Sequence, residues 1–380
     1  MLQTCTYWER TNLSVAFSAA FLHGVPLQPK QISIMNLDTE QTTKPTVAVF
    51  GAAGHTGRFV VGELLRRGIV PITIARDAAA LTAANFPEDK TLRRQASVDD
   101  RKSLGRALDG AQAVINCAGP FLETADAVAA AALHAGIHYL DVTAEQASAR
   151  ATLDKYDKAA REAGIVFVPA MGFYGGFADL LVTAALGDWN FSDAIEIMIG
   201  LDSWHPTRGT RITGERNTAP RMVVAGGRLA PVLLPPVEKH WNFADPLGSQ
   251  IVVEVPLSEI ILIARHVKTA ELHTYLSSIA LSDIRDPATP APKAADARGR
   301  SPQRFVVEVV VRLDGESRRI IARGRDIYAF SAPLVCEVVE RVLQGKFTNA
   351  GAHAPGAILD AKGVLSALVP DHLSFEITVP

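Results

Sequence analysis

The stretch 46–58, TVAVFGAAGHTGR, constrains this chain more than any other: mostly β-forming residues run into Gly51, Gly54 and Gly57, then directly into a helical pattern. Each glycine has a physical job in such a turn. Gly51 lets the strand reverse sharply, Gly54 removes a side chain so that backbone N–H groups can approach a pyrophosphate, and Gly57 lets the helix lie close on the sheet. The helix N-terminus adds unpaired donors and the positive end of its dipole. The spacing is GxxGxxG rather than GxGxxG, and a strand before it with a helix after it marks a dinucleotide turn. The competing reading is a tight turn that binds nothing.

From 46 to about 186 apolar runs alternate with helical patterns, the rhythm of βαβ units. Strands are expected at 46–50, 71–75, 92–96, 112–118, 137–142 and 165–170, with helices at 55–67, 101–109, 123–135 and 146–163. Gly68, Gly136 and Gly164 fall just past helical runs, where a left-handed cap favours glycine. The fold class expected is α/β, a Rossmann-type doubly wound parallel sheet followed by a second α+β domain of mainly antiparallel sheet. After about 187 the pattern shifts to 193–200, 221–225, 250–254, and a hairpin of 304–313 and 318–325 across Asp314-Gly315. The Pro/Ala-rich 286–302 reads as an exposed loop, followed by helices at 332–343 and 361–368 and a strand at 373–379.

A chain of 380 residues favours two domains. The boundaries expected are 45–187 for the dinucleotide-binding domain, 188–330 for the substrate domain and 331–380 for C-terminal elements packing back on the first. Residues 1–44 are expected to be a loose extension, with Met35 as an alternative start and the apolar patch 13–22 a poor signal peptide. A formal charge of −2 gives no broad pull toward nucleic acid or anionic membrane. Cys5, Cys117 and Cys336 are odd in number and far apart, which fits a reducing cytoplasm without a disulfide framework. No CxxC or HExxH pattern points to a metal, and no apolar run is long enough to span a bilayer.

Cofactor choice in such a fold is made after the second strand, here Ala75-Arg76-Asp77. An arginine pairs with a 2′-phosphate and an acidic residue binds a 2′-hydroxyl. Arg76, with Arg58 just past the glycine turn, favours NADP, and Asp77 is the competing feature. After the fourth strand, Asn116-Cys117-Ala118-Gly119-Pro120-Phe121 leaves room for a nicotinamide ribose, and Cys117 has no basic neighbour in sequence to activate it. Tyr139, Asp141, Thr143 and Glu145 share one face of the fifth strand by period two. Asp141 and Glu145 are candidates for proton chemistry, with capping of the next helix as the alternative for Glu145. No Tyr-x-x-x-Lys pair occurs, so a short-chain-dehydrogenase proton donor is absent. Tyr174, beside two glycines after the sixth strand, is the first candidate donor or substrate contact, Glu145 the second and Tyr328 the third.

TVAVFGAAGHTGR, IARD, VINCAGPF, HYLDVTAEQ, ARGRDIYAFSAP and LDAKGVLSAL together resemble the saccharopine dehydrogenase-like NADP-binding oxidoreductases, a group that includes saccharopine reductases and trans-acting enoyl reductases. The resemblance covers roughly residue 45 to the C-terminus and is strongest over 46–145. It implies NADP(H), with Gly51, Ala53, Gly54, His55, Thr56, Gly57 and Arg58 at the phosphates and Arg76 at the 2′-phosphate. Asp99 would lie near the adenine, and Cys117, Ala118, Gly119, Pro120 and Thr143 on the nicotinamide side. The sequence departs from the family where DxTGE becomes Asp141-Val-Thr143-Ala144-Glu145 and where Ser97 stands for an acidic residue. Gly172-Phe-Tyr-Gly-Gly-Phe-Ala-Asp179 replaces a serine- and proline-containing turn, while Arg208-Gly209-Thr210 is similar to the family's Gly-Thr turn. The expectation is a hydride transfer between nicotinamide and a C=N, C=C or C=O bond of a small-molecule substrate, with a homodimer as one admissible assembly. The rivals are an NADP(H)-binding sensor or scaffold, and a synthase or lyase with internal redox cycling.

Overall fold

The alternation that begins at residue 46 folds into a seven-stranded parallel sheet. The computed structural model describes residues 44–379. Apart from Lys44, the extension expected over 1–44, with Met35, Cys5 and the patch 13–22, lies outside the described residues. The first six strands are β1 (Thr46–Phe50), β2 (Val70–Ala75), β3 (Leu92–Gln95), β4 (Ala113–Asn116), β5 (His138–Asp141) and β6 (Val166–Val168). Between them run α1 (His55–Arg66), α2 (Ala78–Ala83), α3 (Arg101–Ala107), α4 (Phe121–Ala135) and α5 (Gln146–Glu162). β1 and β4 are buried along nearly their whole length, as expected of strands with helices on both faces. α4 packs its Ala125, Val128, Ala129 and Ala132 inward, and these small side chains keep the helix close to the sheet. Gly68, Gly136 and Gly164 take φ of 74°, 67° and 69° just beyond α1, α4 and α5.

Beyond β6 the chain enters a widened turn, Phe173–Phe177, and continues as α6 (Ala178–Leu186). The second sheet is then assembled from β7 (Ser192–Leu201), β8 (Met222–Ala225), β9 (Arg228–Pro231), β10 (Glu238–Phe243), β11 (Gly248–Glu254), β12 (Thr269–Ser277), β13 (Arg304–Leu313) and β14 (Glu316–Arg325). Helices α7 (Arg208–Arg216), α8 (Ser258–Ala264) and α9 (Ser278–Arg285) interrupt it. The chain closes with α10 (Ile327–Leu343), β15 (Gly351–Ala352), α11 (Pro355–Ile358), α12 (Ala361–Ala367) and β16 (Leu373–Thr378). The first sheet runs β15-β6-β5-β4-β1-β2-β3, and the main path of the second runs β10-β11-β12-β7-β13-β14-β16. In the second sheet only β12 and β7 pair in parallel, and every other pairing is antiparallel. Asp314 and Gly315 both take positive φ, 51° and 83°, in the tight turn that joins β13 to β14.

Three features differ from the sequence expectation. A seventh parallel strand, β15, comes from the C-terminal segment and is too short to read from a pattern. α10 starts at Ile327 instead of 332, because Asp326 caps it: its Oδ1 accepts the N–H groups of Tyr328 and Ala329 at 3.1 and 3.0 Å. Pro333 therefore lies inside the helix rather than at its start. Helices α2, α6, α7, α8, α9 and α11 and strands β9, β10 and β12 are not expected from the sequence, since most are short, and α6 and α8 are buried on nearly every side and so show no single period.

Two contacts fix the first sheet against the rest. Arg67, 10% exposed at the end of α1, pairs with Glu63 on its own helix and with Glu337 and Glu340 on α10, all at 2.7 Å. Phe173 and Phe177 pack with Phe305 on β13 and Phe330 on α10, with ring centroids 4.7 to 4.8 Å apart in the tightest pairs. Such edge-to-face pairs contribute about 0.5–1.5 kcal/mol each beyond their buried area. The wide turn that carries Tyr174 is thereby held between the two sheets.

Candidate active site

The carboxyl ends of β1 and β4 are adjacent in the sheet, with Phe50 opposite Asn116. The turn after β1 is built as tightly as its glycines require. Gly51 has φ +83°, and a Cβ there would lie 2.9 Å from the Ala118 nitrogen. A Cβ on Gly57 would lie 2.2 Å from the Gly51 oxygen, so that residue allows α1 to begin against the turn. Gly54 occupies the N-cap position of α1 and caps it with no side chain, which leaves the first-turn N–H groups for a ligand. His55 stands in that first turn, its ring edge-on to Phe59 and Tyr328 at 5.3 and 5.4 Å. Its Nε2 is buried with no hydrogen-bond partner among the described residues. Burial lowers its pKa, Asp326 opposing and Arg58 assisting, so the imidazole is neutral near pH 7. This cradle of bare amides and an unpaired ring nitrogen fits a dinucleotide pyrophosphate.

The rest of the expected cofactor set is spread along the strand ends. Arg58 is exposed, and its Nε donates to the Ala53 carbonyl at 3.0 Å. Arg76 is exposed at the end of β2, and its guanidinium makes no hydrogen bond or ion pair among the described residues. Asp77 is engaged, its carboxylate accepting the Ala79 N–H at 2.8 Å as the cap of α2. Asp99 is exposed, accepting from the Ser97 hydroxyl at 3.2 Å. Ala118 and Gly119 face a cavity, as does Cys117, whose thiol is pushed far up by burial and by the Asp141 charge and so stays protonated. Pro120 is the N-cap residue of α4. Thr143 is fully buried and does not face the cavity, and its hydroxyl accepts the Glu145 N–H at 3.0 Å.

That cavity, about 530 Å³, joins the glycine turn to the second sheet. Gly51, Gly54, His55, Thr56 and Ala118 form one side. Tyr174, Trp204, Thr207, Thr210, Thr213 and Tyr328 contribute the other, with Phe121, Val142 and Leu257 making much of the remaining wall apolar. The three candidate proton donors all reach it, in different states. Glu145 is buried and its carboxylate accepts the N–H groups of Phe121 and Leu122 at 2.7 and 3.2 Å. It therefore caps α4, not the helix that follows it in sequence. Burial raises its pKa, and the two amides only partly offset that. Asp141, also fully buried, accepts from Tyr139 Oη, Thr143 N and Ala170 N at 2.7, 3.0 and 2.8 Å. It braces the ends of β5 and β6 and has no face toward the cavity.

The two tyrosines differ more sharply. Tyr328 Oη meets Trp204 Nε1 at 2.9 Å, the Thr207 N–H at 3.3 Å and Thr210 Oγ1 at 2.9 Å. It is the peg to which the start of α7 is tied. Tyr174 stacks on Trp204 with centroids 5.2 Å apart and planes 30° apart, and its buried hydroxyl has no partner among the described residues. Burial first, then the charges of Tyr328 and Glu259, raise its pKa well above 10.0, so it is protonated at any working pH. Its backbone is held by Gly175, with φ +143°, where a Cβ would lie 2.5 Å from the Ala170 oxygen. Ser258 Oγ donates to the Tyr174 carbonyl at 2.7 Å and to the Thr143 carbonyl at 3.1 Å.

Helix α7 closes the Gly119 side of the cavity. Thr207 caps it, accepting the Thr210 N–H at 3.1 Å, and a Cβ on Gly119 would lie 2.9 Å from Thr213 Oγ1. At its far end Arg216 pairs with Glu123 on α4 at 2.5 Å. Thr210 belongs to the Arg208-Gly209-Thr210 turn noted in the sequence, whereas Trp204, Thr207, Thr213 and Arg221 are cavity residues that sequence reasoning passed over. A capping threonine ahead of an arginine-rich run was the only signal they gave.

Residues 47–168 match the family model described as the saccharopine dehydrogenase NADP binding domain. A probable mitochondrial saccharopine dehydrogenase-like oxidoreductase of Arabidopsis thaliana is 26% identical over 175 residues, 41% of this chain and 38% of the relative. A Caenorhabditis elegans protein named for lipid droplet localization is 29% identical over 181 residues, 43% of this chain and 42% of the relative. The matched part therefore spans about two fifths of each relative's length. Apo saccharopine dehydrogenase (L-Glu forming) from Saccharomyces cerevisiae shares the fold, with TM-score 0.62 and 11% identity over 88% of this chain and 100% of that one.

Proposed function

From a saccharopine dehydrogenase-like NADP-binding domain, at residues 47–168, we infer that the protein is an NADP(H)-dependent oxidoreductase acting on a C=N, C=C or C=O bond of a small, largely apolar substrate in the cavity. The observation that carries this reading is the Tyr174 hydroxyl, buried and unpaired in the wall of a cavity whose other side is the dinucleotide turn. An unpaired buried hydroxyl costs about 1–3 kcal/mol, a cost that a substrate atom accepting its hydrogen bond would relieve.

The bound cofactor would supply the hydride that forms the new C–H bond as the substrate π bond breaks. This chain's residues supply the rest. Tyr174 Oη donates its proton to the heteroatom, or to the second carbon of a C=C bond, and regains one from solvent once the product has left and the cavity is open to water. The tyrosine keeps that proton until negative charge develops beside it, because burial disfavours tyrosinate. Trp204 holds its ring plane, and Tyr328 in turn holds Trp204 through Nε1. Phe121, Val142 and Leu257 exclude water from the reacting atoms. Arg76, unpaired where Asp77 is engaged as a cap, supports NADPH over NADH.

The test is stopped-flow oxidation of NADPH against imines, enals and ketones, with wild type and Tyr174→Phe. Turnover of one class, with kcat lower by about 10²–10⁴-fold in Tyr174→Phe and NADPH affinity unchanged, is the expected outcome. Tyr328→Phe should cost less, because it loosens Trp204 and α7 but leaves the donor. Tight NADPH binding with no oxidation across the panel would favour a sensor or scaffold. Cofactor that cycles without net consumption would favour a synthase or lyase.

A further inference from the structure

We propose that the loop 231–237, PVLLPPV, together with the arginines around it, docks the protein on an anionic lipid surface, with the mouth of the cavity beside the contact. Leu233 and Leu234 are 74% and 82% exposed, and Leu229 and Val237 on either side are exposed as well. Four large apolar side chains clustered on one surface segment are unusual for a protein surface facing only water. Leu229 lies on β9 and Leu233, Leu234 and Val237 on the connection from β9 to β10, and none of them lines the cavity, so they offer an apolar face and not a pocket for a peptide.

The backbone of the loop is suited to leaving water. Pro231, Pro235 and Pro236 carry no N–H, and the Val232 N–H donates to the Arg221 carbonyl at 2.9 Å. Only Leu233, Leu234 and Val237 bring backbone donors that would lose hydration, which is the main cost of placing irregular chain at a bilayer interface.

Charge selects the surface. The chain as a whole carries a formal −2, yet 207–237 holds five arginines and a single acidic residue, Glu215. Arg208 and Arg228 are exposed and form no ion pair among the described residues, Arg221 donates to the Pro256 carbonyl at 3.0 Å, Arg211 donates to the Ile284, Asp286 and Thr289 carbonyls, and Arg216 is paired with Glu123. Outside the segment, Glu238 adjoins it and Glu271 accepts the Gly226 N–H at the β8–β9 turn, and neither cancels the excess. An apolar face ringed by arginines matches a bilayer with anionic headgroups, where insertion and electrostatic attraction act together. The same Arg221 lines the cavity, so docking brings the mouth to the lipid. This inference does not depend on what the cavity reduces.

The experiment is co-sedimentation of the full chain, saturated with NADPH, with vesicles of phosphatidylcholine alone or mixed with phosphatidylserine. We expect binding to the mixed vesicles, weakened by added salt, and about tenfold or more weaker binding to phosphatidylcholine alone. Leu233→Ser combined with Leu234→Ser should lose the binding by about tenfold or more while melting and NADPH affinity stay as in wild type, because these side chains lie outside the core. A charge-only contact would leave the double variant bound as wild type, and that result overturns the proposal. So would wild type that sediments with neither vesicle. A dimer that the double variant dissolves, without vesicle binding, would instead assign the loop to a second copy of the chain.

Discussion

On one side of the cavity Gly51, Gly54, Ala118 and Gly119 present backbone and little else, while on the other Tyr174, Trp204 and Tyr328 present side chains. The first side is made by two adjacent strand ends of one sheet, and its shape follows from the absence of Cβ atoms. The second is made by a wide turn, a loop, α7 and the first turn of α10, and Trp204 meets its hydrogen-bond partner Tyr328 across 124 residues of sequence. Backbone sites of the first kind tolerate almost no change but give generic binding. Side-chain sites of the second kind can be altered one atom at a time, and they decide what is done to the substrate.

The largest expected effect therefore lies on the backbone side. Gly57→Val would force Cβ against the Gly51 oxygen, which a Cβ already reaches at 2.2 Å. Backbone cannot rotate away as a side chain can, so α1 must move and the pyrophosphate cradle with it. We expect NADPH affinity to fall by about 10²-fold or more, measured by fluorescence titration, with a lowered melting temperature. If the variant bound NADPH like wild type, the cradle would be elsewhere. Tyr174→Phe comes next, and its contrast is that kcat falls while NADPH affinity holds.

The same contrast explains what could be read from sequence. The glycine turn, each strand and helix of the alternation that follows it and the caps at Gly68, Gly136 and Gly164 are local, so each is written in a few adjacent residues. Tyr174 was visible as an aromatic between a strand end and two glycines, but its unpaired hydroxyl depends on Trp204 arriving from β7's far end. Tyr328 ranks third in sequence, behind Tyr174 and Glu145. Only the fold reveals that Trp204, Thr207 and Thr210 already occupy its hydroxyl. Glu145 read as a possible cap of the helix after it, and it caps α4 instead, because β5 delivers it beside the N-terminus of a helix that began 24 residues earlier. Long-range partners leave no periodic trace.

Arg76 tests the backbone side with a smaller effect. Its guanidinium is exposed and unpaired among the described residues, while the adjacent Asp77 holds the first turn of α2. A charge-assisted contact to a 2′-phosphate contributes about 1.5–3 kcal/mol, so Arg76→Ala should weaken NADPH binding by about ten- to a hundredfold. NADH lacks that phosphate, and its affinity should move by less than about twofold. Parallel titrations of both cofactors decide it, and equal losses would remove Arg76 from the 2′-phosphate site.

The smallest effect should come from the Arg216–Glu123 ion pair that ties α7 to α4. Arg216 and Glu123 lie 2.5 Å apart, but their side chains are 57% and 52% exposed. Water screens such a pair, and exposed pairs contribute only about 0.2–1 kcal/mol. The other end of α7 is tied at Tyr328 by hydrogen bonds that are at least partly buried. If the buried end positions α7, Arg216→Ala should change KM by less than about threefold and leave kcat alone, since a loss below 1 kcal/mol corresponds to a few-fold at most. A variant-to-wild-type KM ratio well beyond that, and persisting in 1 M salt where the Debye length is about 3 Å, cannot come from a screened surface contact, whose loss should matter less as salt rises. That outcome would make the exposed pair a latch of the cavity, and the side-chain wall would then be held at both ends instead of one.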